Sequence, residues 1–248
     1  MFSLDGKVAL VTGSERGLGK DVALTLAQQG ASIAMLYYQE EEQALQTRDA
    51  IAAMGRKVVA IHADLTKQED VNAAAAQVDQ AFDRVDIIVN VVGAVVKRIP
   101  FVETDDDFWM QVFNVNLLSG VRIIRAFLPG MIRRRYGRII NISSVGSKTG
   151  GAPNSAHYAA MKGAINSLSH SLSNEVAQYG VTVNALGPGT MISPLLKDTP
   201  SWDEAAVKRL YPIGRMSTTD DVTPLIAFLA SEESRYCTGE TLFVSGGR

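Results

Sequence analysis

The sequence predicts an α/β protein in which a doubly wound parallel sheet of about seven strands carries helices on both faces. Three observations lead to this fold class. Short apolar runs alternate with longer segments of helical periodicity, a glycine-rich stretch follows the first run directly, and polar or glycine residues follow most of the other runs. We expect a single domain over residues 1–248, because no repeat or linker interrupts this pattern.

The first strand is predicted at Lys7–Thr12 and the first helix at Lys20–Gln29, and glycines fill the turn between them. Gly13 allows a tight turn, Gly17 lets the backbone approach a phosphate, and Gly19 allows close packing of the helix on the strand. The free amides at the start of the helix complete a site for the diphosphate of a dinucleotide.

The other strands follow at regular intervals, and their carboxyl ends are expected to meet at one edge of the sheet, where such sheets bind ligands. The predicted strands are Ser32–Tyr38, Lys57–Ala63, Asp86–Val91, Gly137–Ser143, Thr182–Leu186 and Thr241–Val244. Polar and glycine residues collect at that edge, which predicts a site there. These residues are the first turn, Asp64, Asn90, Ser143, Ser144, Pro188 and Gly189.

Composition excludes several classes of protein. The net charge of −2 gives no electrostatic reason to expect nucleic acid or an anionic membrane as a partner. The longest apolar run, Ile87–Val96, is too short to span a bilayer. One cysteine, Cys237, excludes an internal disulfide, and no basic and apolar leader precedes the first strand. We therefore expect a cytoplasmic protein without a metal site.

A serine, a tyrosine and a lysine carry the expected chemistry. Tyr158 and Lys162 lie four positions apart on a predicted helix, Asn154–Gln178, so both project from one face. At roughly 4 Å and a dielectric of about 20, an ammonium favours phenolate by about 4 kcal/mol, equivalent to about three pKa units. Ser144, after the fifth strand, could hydrogen-bond the reacting oxygen. A Tyr-x-x-x-Lys pattern alone also fits an exposed helix pair.

Together these motifs resemble those of the short-chain dehydrogenase/reductase family, over essentially the whole chain. The matching elements are Thr12-Gly13-x-x-x-Gly17-x-Gly19, Asp64-Leu65, Asn90-x-x-Gly93, Asn114-Val115-Asn116-Leu117, Ser144, Tyr158-x-x-x-Lys162, Asn184 and Pro188-Gly189. The resemblance implies a Rossmann fold and catalysis by four residues. Tyr158 would exchange the proton, Ser144 would hold the substrate oxygen, and Lys162 would bind the nicotinamide ribose. Asn116 would anchor a water that leads protons to Lys162.

Three positions depart from the family pattern. Val91 and Val92 stand where the family carries a second asparagine and an alanine. Ser193 replaces a threonine and keeps a hydroxyl for the nicotinamide carboxamide. The spacing from Ser144 to Tyr158 is one residue longer than in many relatives, so Ser143 stays an alternative source of the hydroxyl.

The end of the second strand favours NADP(H) as cofactor, with NAD(H) as the alternative. NAD-specific folds place an acid there, but this chain has Tyr37, Tyr38 and Gln39, with no acid before Glu40. Arg16 precedes the second glycine and could pair with a 2′-phosphate, which Glu40 to Glu42 would oppose. The residues expected to bind the dinucleotide are Gly13, Ser14, Arg16, Gly17, Leu18, Gly19, Tyr38, Asp64, Leu65, Asn90, Gly93, Tyr158, Lys162, Pro188, Gly189, Met191 and Ser193.

Substrate contacts are expected from three loops: Ala94–Phe101, Val145–Ser155 and a lid at Met191–Tyr211. Their composition predicts a mostly apolar pocket for a small carbonyl or alcohol compound. His157, next to Tyr158, could touch the substrate, but neighbouring helix residues diverge and the expected orientation is away from it. The chain is also similar to 3-oxoacyl-acyl-carrier-protein reductases, whose basic patch binds an acidic carrier. Arg133 to Arg135 could supply half of that patch, but Tyr179 stands where a second basic residue is usual.

The sequence thus predicts an NADPH-preferring carbonyl reductase, and the resemblance implies a homotetramer. An NAD-linked secondary-alcohol dehydrogenase, or a dehydratase or epimerase with bound cofactor, is an alternative within the enzyme class. A nucleotide-binding regulatory protein without turnover is the alternative outside it. The spacing of Tyr158 and Lys162 argues against this last alternative, because a regulator needs no proton donor.

Overall fold

The structure, a computed structural model, describes residues 2–191 and 203–248. Within these residues, seven strands form a single sheet in which every neighbouring pair is parallel. The strands are β1 (Val8–Thr12), β2 (Ser32–Tyr37), β3 (Val58–His62), β4 (Ile87–Asn90), β5 (Gly137–Ile142), β6 (Val181–Pro188) and β7 (Thr241–Val244). Their order is β3-β2-β1-β4-β5-β6-β7. The predicted doubly wound sheet is confirmed.

Nine α-helices connect the strands within the same described ranges. They are α1 (Gly17–Gln28), α2 (Glu41–Ala53), α3 (Gln68–Ala81), α4 (Asp106–Phe113), α5 (Ser119–Arg134), α6 (Gly146–Thr149), α7 (Ala156–Val176), α8 (Glu204–Arg209) and α9 (Thr223–Ala230). The chain runs outward through β2 and β3 and then returns to place β4 beside β1. This reversal opens a crevice at the carboxyl ends of β1 and β4, the usual ligand position in such sheets.

Alternating strand residues divide the core between the two faces of the sheet. In β1, Ala9 and Val11 join one apolar cluster, whereas Leu10 joins the other. The first cluster includes Val22 of α1 and Ile226 of α9, and the second includes helix residues of α3 and α5. Strands that are buried on both faces read as continuous apolar runs, which is why the sequence located them.

Predicted boundaries differ from the observed ones mainly at element ends. Strand β6 extends to Pro188, two residues beyond the predicted end, and all its residues are buried. Helix α1 begins at Gly17 rather than Lys20, so two motif glycines lie inside its first turn. The centre of the predicted lid, including Ser193, lies outside the described residues; Met191, at its start, forms a bridge with Ser217.

A five-residue π turn, Asn114–Leu118, joins α4 to α5 and makes one continuous helical stretch, Asp106–Arg134. By length and composition alone this stretch could cross a membrane, and the test is weak because core helices also satisfy it. π turns are found frequently at functional sites. This one contains Asn116, a residue singled out from the sequence.

Candidate active site

The glycine turn after β1 presents the uncapped start of α1 at the crevice. Gly13 and Gly17 have φ values of 64° and 52°, in the left-handed region that favours glycine. A Cβ atom on Gly19 would overlap the carbonyl oxygen of Gly13, so only glycine fits there. Helix α1 has no side-chain cap and no acidic residue in its first turn. Its free amides therefore suit a phosphate group.

A cavity of about 450 Å³ extends from this turn across the ends of the neighbouring strands. Its lining comprises residues 13, 15–19, 36–39, 63–66, 91–94 and Val115. Nine of the residues predicted to bind the dinucleotide are among them: Gly13, Arg16, Gly17, Leu18, Gly19, Tyr38, Asp64, Leu65 and Gly93. The amides and glycines suit a diphosphate, and the ends of β2 and β3 suit an adenosine.

Charged and aromatic groups flank the cavity beyond β2. Arg16 Nη1 lies 2.8 Å from Glu40 Oε1, and this pair is largely exposed. The ring of Tyr38, which is half exposed, stacks on His62 with centroids 5.8 Å apart. The carboxylate of Glu40 therefore already forms an ion pair with Arg16, the residue that the sequence assigned to a 2′-phosphate.

Asp64 turns its carboxylate toward its own loop. Its Oδ1 accepts hydrogen bonds from Thr66 N at 3.0 Å and Thr66 Oγ1 at 2.6 Å, and Lys67 pairs with its other oxygen. Burial acts to raise the pKa of Asp64, but these partners outweigh burial and hold the pKa below its usual value. The carboxylate stays ionised and shapes the edge of the cavity near the β3 end.

Ser144 and Tyr158 lie close enough for the serine hydroxyl to lower the pKa of the phenol. Ser144 Oγ also accepts from Gly146 N at 3.0 Å, which fixes the hydroxyl at the end of β5. Burial raises the pKa of Tyr158, and the nearby Ser144 hydroxyl opposes this rise only in part. The phenol is therefore protonated at neutral pH.

Lys162 is almost completely buried, and its environment differs from our expectation. Its Nζ donates to Ile142 O at 2.8 Å and lies 5.6 Å from the centroid of the Tyr158 ring. Burial lowers the pKa of Lys162 to about 8. The predicted shift of Tyr158 toward phenolate is not found in this structure, because desolvation by burial is the largest effect on the pKa of Tyr158 and raises it.

Gly93 lies between the cavity and the side chains of Lys162 and Asn116. The side chain of Asn116 accepts from Ala94 N and donates to Ala94 O, both at 2.9 Å, and donates to Val112 O at 3.0 Å. A Cβ on Gly93 would lie 2.7 Å from Lys162 Nζ and 3.0 Å from Asn116 Oδ1. Because Gly93 also lines the cavity, Lys162 lies directly behind the cavity wall.

Ser143 has a different environment from Ser144. Its buried hydroxyl donates to Lys162 O at 2.9 Å and contacts Ser147 Oγ at 3.4 Å. Of the two serines, Ser144 is the one that influences the pKa of Tyr158. The alternative in which Ser143 supplies the hydroxyl therefore loses its geometric support.

Several residues predicted to contact the dinucleotide do not line the large cavity. Ser14 Oγ is buried and donates to Leu36 O at 3.2 Å, which ties the turn to β2. Asn90 Nδ2 donates to Asn141 Oδ1 at 2.8 Å, so this side chain lies one layer behind the wall. Pro188 and Gly189 pair through their backbones with Val145 N and Val244 O. Tyr158, Lys162 and Met191 also lie outside this lining, and Ser193 is not among the described residues.

The sequence did not assign several residues that do line the cavity. Val92 is one of them, and its Cγ2 would lie 3.3 Å from a Cβ on Gly13. Thr66 and Val115 are others. The positions of Thr66 after β3 and Val92 after β4 were the available signal, since residues that follow strands meet at this edge; no sequence signal marked Val115. Among the described residues, no group of three or more His, Cys, Asp or Glu could hold a metal ion.

The fold and this site define a nicotinamide-dependent oxidoreductase, and comparisons with known proteins give its family. Residues 12–248 match the family model described as enoyl-(acyl carrier protein) reductase. The chain is 36% identical to nodulation protein G of Rhizobium sp. (strain N33) over 247 residues, covering 100% of this chain and 98% of the relative. It is 36% identical to the 3-oxoacyl-[acyl-carrier-protein] reductase FabG of Vibrio cholerae over 246 residues, covering 99% and 98% of the two chains.

Solved structures agree with this assignment. A putative gluconate dehydrogenase from Agrobacterium tumefaciens superposes with a TM-score of 0.92 at 35% identity, covering 99% of this chain and 96% of the other. A gluconate 5-dehydrogenase from Burkholderia cenocepacia J2315, in complex with NADP and tartrate, gives 0.90 at 33% identity with the same coverage. The chain belongs to the short-chain dehydrogenase/reductase family.

Proposed function

We propose that this enzyme reduces the ketone group of a small molecule with NADPH, and that Ser144, Tyr158, Lys162 and Asn116 form its catalytic group. One observation carries the proposal. A tyrosine kept protonated by burial lies beside a serine whose hydroxyl is fixed by Gly146 N, and the buried lysine near them lies directly behind the wall of the dinucleotide cavity. A binding protein without turnover has no need of this arrangement.

Each residue then has a definite role. The nicotinamide, when bound, supplies the hydride. Tyr158 donates its proton to the developing alkoxide, a task that suits a phenol kept protonated by burial. Ser144 holds the substrate oxygen with its hydroxyl, since its position is fixed by Gly146 N. In the direction of oxidation Tyr158, deprotonated to phenolate, would take the proton of the substrate hydroxyl, and Ser144 would hold the substrate oxygen.

Lys162 and Asn116 support this pair. Lys162 would hold the ribose beside the nicotinamide, next to Gly93 in the cavity wall, and its lowered pKa lets it exchange a proton near neutral pH. Both amide hydrogens of Asn116 are bonded to backbone carbonyls, those of Ala94 and Val112. Asn116 therefore serves this group by fixing the backbone around Gly93, and a water on its side chain could bond only to Oδ1.

We propose a preference for NADP(H) that the Arg16–Glu40 pair limits. A guanidinium binds a phosphate with two parallel hydrogen bonds, and the end of β2 carries no acid that would repel one. Glu40 competes for the same guanidinium from 2.8 Å. NAD(H), which brings no 2′-phosphate, leaves this ion pair intact.

Replacing Arg16 should weaken the preference for NADP, and replacing Glu40 should strengthen it. We expect Arg16→Ala to raise the Kd of NADP about tenfold, because a charge-assisted phosphate contact is lost, with little effect on NAD. Glu40→Gln should lower the Kd of NADP several-fold, because the competing charge is removed. Calorimetric titration with both cofactors at low and high salt measures these changes.

Arg48→Ala is the matched control, because Arg48 is an arginine on α2 that pairs with Asp49 and does not line the cavity. It should leave both affinities unchanged. Equal losses of NADP and NAD affinity in Arg16→Ala would contradict the role of Arg16, and an unchanged NADP affinity in Glu40→Gln would contradict the competition.

The substrate class has two candidates. The FabG relatives favour a 3-oxoacyl compound, and the gluconate dehydrogenase structures favour a sugar acid. Docking of an acyl carrier has weak support, because Arg134 and Arg135 bond to backbone carbonyls of Val85 and Gln178 at 2.5 Å and 2.7 Å. These groups precede β4, β5 and β6 and so adjoin the amino ends of these strands, opposite the cavity. A free small molecule is the better-supported substrate.

Absorbance at 340 nm with a substrate panel tests the proposed function. Purified enzyme would be assayed with 3-oxoacyl thioesters, 3-oxoesters, quinones and oxo sugar acids, with NADPH and NADH in parallel. We expect consumption of NADPH with one of these classes. Binding of NADPH without turnover on any of them would support the regulatory alternative instead.

We also propose that the enzyme is cytoplasmic and works as a homotetramer, as the family resemblance implies. Large apolar side chains exposed beside α4 support an interface between subunits there. Phe101 is 66% exposed and Met110 is 54% exposed, and the described residues leave most of both side chains in contact with water.

A further inference from the structure

A strained turn lies in the loop between β4 and α4. Val96 has a φ of 63°, which is unusual for any residue with a side chain and especially costly for a β-branched one. Lys97 N donates to Val95 O at 2.8 Å, so the turn closes over three residues with Val96 at its centre. Three-residue turns with a positive central φ are rare and strained. Such a turn persists only where its surroundings hold it.

His157 is the side chain that holds this turn. Its Nε2 lies 3.1 Å from Val95 O, the same carbonyl that closes the turn. Because a carbonyl can only accept, Nε2 carries the proton and donates it. The imidazole is 1% exposed and packs edge-on against Phe108 and Trp109, with centroids 4.8 Å and 6.4 Å away. This packing leaves the ring little freedom.

The rest of the loop is tied to elements of the catalytic group. Asn116 bonds both backbone groups of Ala94, immediately before the turn. Ile99 N donates to Asn154 O at 3.0 Å, just before α7 begins. The turn therefore lies between two fixed points, and His157 immediately precedes Tyr158 on α7. The first turn of α7 therefore positions both the proposed proton donor, Tyr158, and the side chain that holds the strained loop turn, His157.

We propose that His157 is a positioning residue that fixes Val96 as a wall of the substrate site beside Tyr158, and thereby determines which ketones fit. The inference rests on the proposed function. Val96 is an apolar side chain that is 40% exposed, and it sits at a conformation that a glycine would adopt without cost. Glycine would suit the backbone at this position better than valine. A valine is explained if its side chain contacts an apolar group of the substrate next to the reacting carbonyl.

Hydrogen exchange tests the positioning without any turnover. His157→Leu removes the donor and keeps an apolar side chain in the pocket, whereas His157→Gln keeps an N–H donor on a side chain of similar reach. We expect amides of residues 94–99 to exchange about tenfold faster in the leucine variant and close to the parent rate in the glutamine variant. Equal protection in the parent and the leucine variant would overturn the proposal.

Kinetics with ethyl 3-oxobutanoate and ethyl 3-oxohexanoate test the specificity. His157→Leu should raise KM about tenfold and reduce the discrimination between the two esters, with kcat changed far less, and His157→Gln should restore both. Val96→Ala, an exposed change that folding tolerates, should reduce the same discrimination while loop exchange stays at the parent rate. Unchanged discrimination in both His157→Leu and Val96→Ala would overturn the specificity role.

Together, the hydrogen-exchange and kinetic experiments distinguish failure of this inference from failure of the proposed function on which it rests. If neither ester nor any other ketone is reduced, the proposed function fails, and the exchange rates still decide whether His157 positions the turn. If ketones are reduced and exchange is unchanged, the inference alone fails. NADPH affinity and the Tm of each variant verify that the fold is intact.

Discussion

Tyr158→Phe is expected to lower kcat about a thousandfold, because it removes the proposed proton donor and keeps the ring. The affinity for NADPH should stay at the parent value, since Tyr158 does not line the dinucleotide cavity. The free energy of unfolding should change by less than about 1.5 kcal/mol, the usual contribution of one hydrogen bond, because the phenolic hydroxyl can contribute one such bond. Stopped-flow single turnovers, cofactor titration and urea unfolding measure the three quantities.

Tyr236→Phe is the control, because this tyrosine is fully exposed and should tolerate the same chemical change without any effect. Turnover at the parent rate in Tyr158→Phe would remove this residue from the proton-donor role. A loss of both turnover and NADPH binding would instead assign Tyr158 to the binding of cofactor.

Lys162→Met is expected to abolish most turnover and to change how stability depends on pH. Burial lowers the folded pKa of Lys162 from 10.5 to about 8. Between these two values the unfolded chain binds the proton and the folded chain does not, so stability of the parent rises with pH. The rise amounts to about 3 kcal/mol as an upper estimate, at about 1.4 kcal/mol per unit. The methionine variant lacks this group and should lack the rise.

Urea unfolding of parent and variant at pH 7, 8, 9 and 10 measures this difference, and groups that titrate in both proteins cancel. Lys20→Met provides the control, because Lys20 is an exposed lysine on α1 and its loss should leave the pH slope in place. If the parent and Lys162→Met show the same slope, Lys162 is charged and solvated in the folded protein, and its assigned environment is wrong.

The fold could be predicted from the sequence because its signals are local. Buried strands such as β4 and β5 are apolar runs, and glycines mark the turn before α1. The order of motifs also located Ser144 and Tyr158, which the fold brings into contact across separate elements. Periodicity and spacing suffice where a residue's neighbours are set by its own element.

The remaining features depend on contacts between distant segments. The sequence placed Asn90 in the cofactor site, but pairing with Asn141 on β5 turns its amide away. The spacing of Tyr158 and Lys162 predicted that the lysine charge would lower the pKa of the phenol. In the structure, burial raises the pKa of Tyr158 and lowers that of Lys162. Nor does sequence spacing reveal that His157 reaches Val95.

Gly93 restricts how this protein can change during evolution. Its Cα separates the dinucleotide cavity from Lys162, and any larger residue would press on Lys162 and Asn116. A substitution at this position would therefore damage cofactor binding and proton chemistry together. A lineage that kept the nucleotide and abandoned catalysis would have to begin elsewhere, at Ser144 or Tyr158, where one hydroxyl can be lost while the cavity keeps its shape.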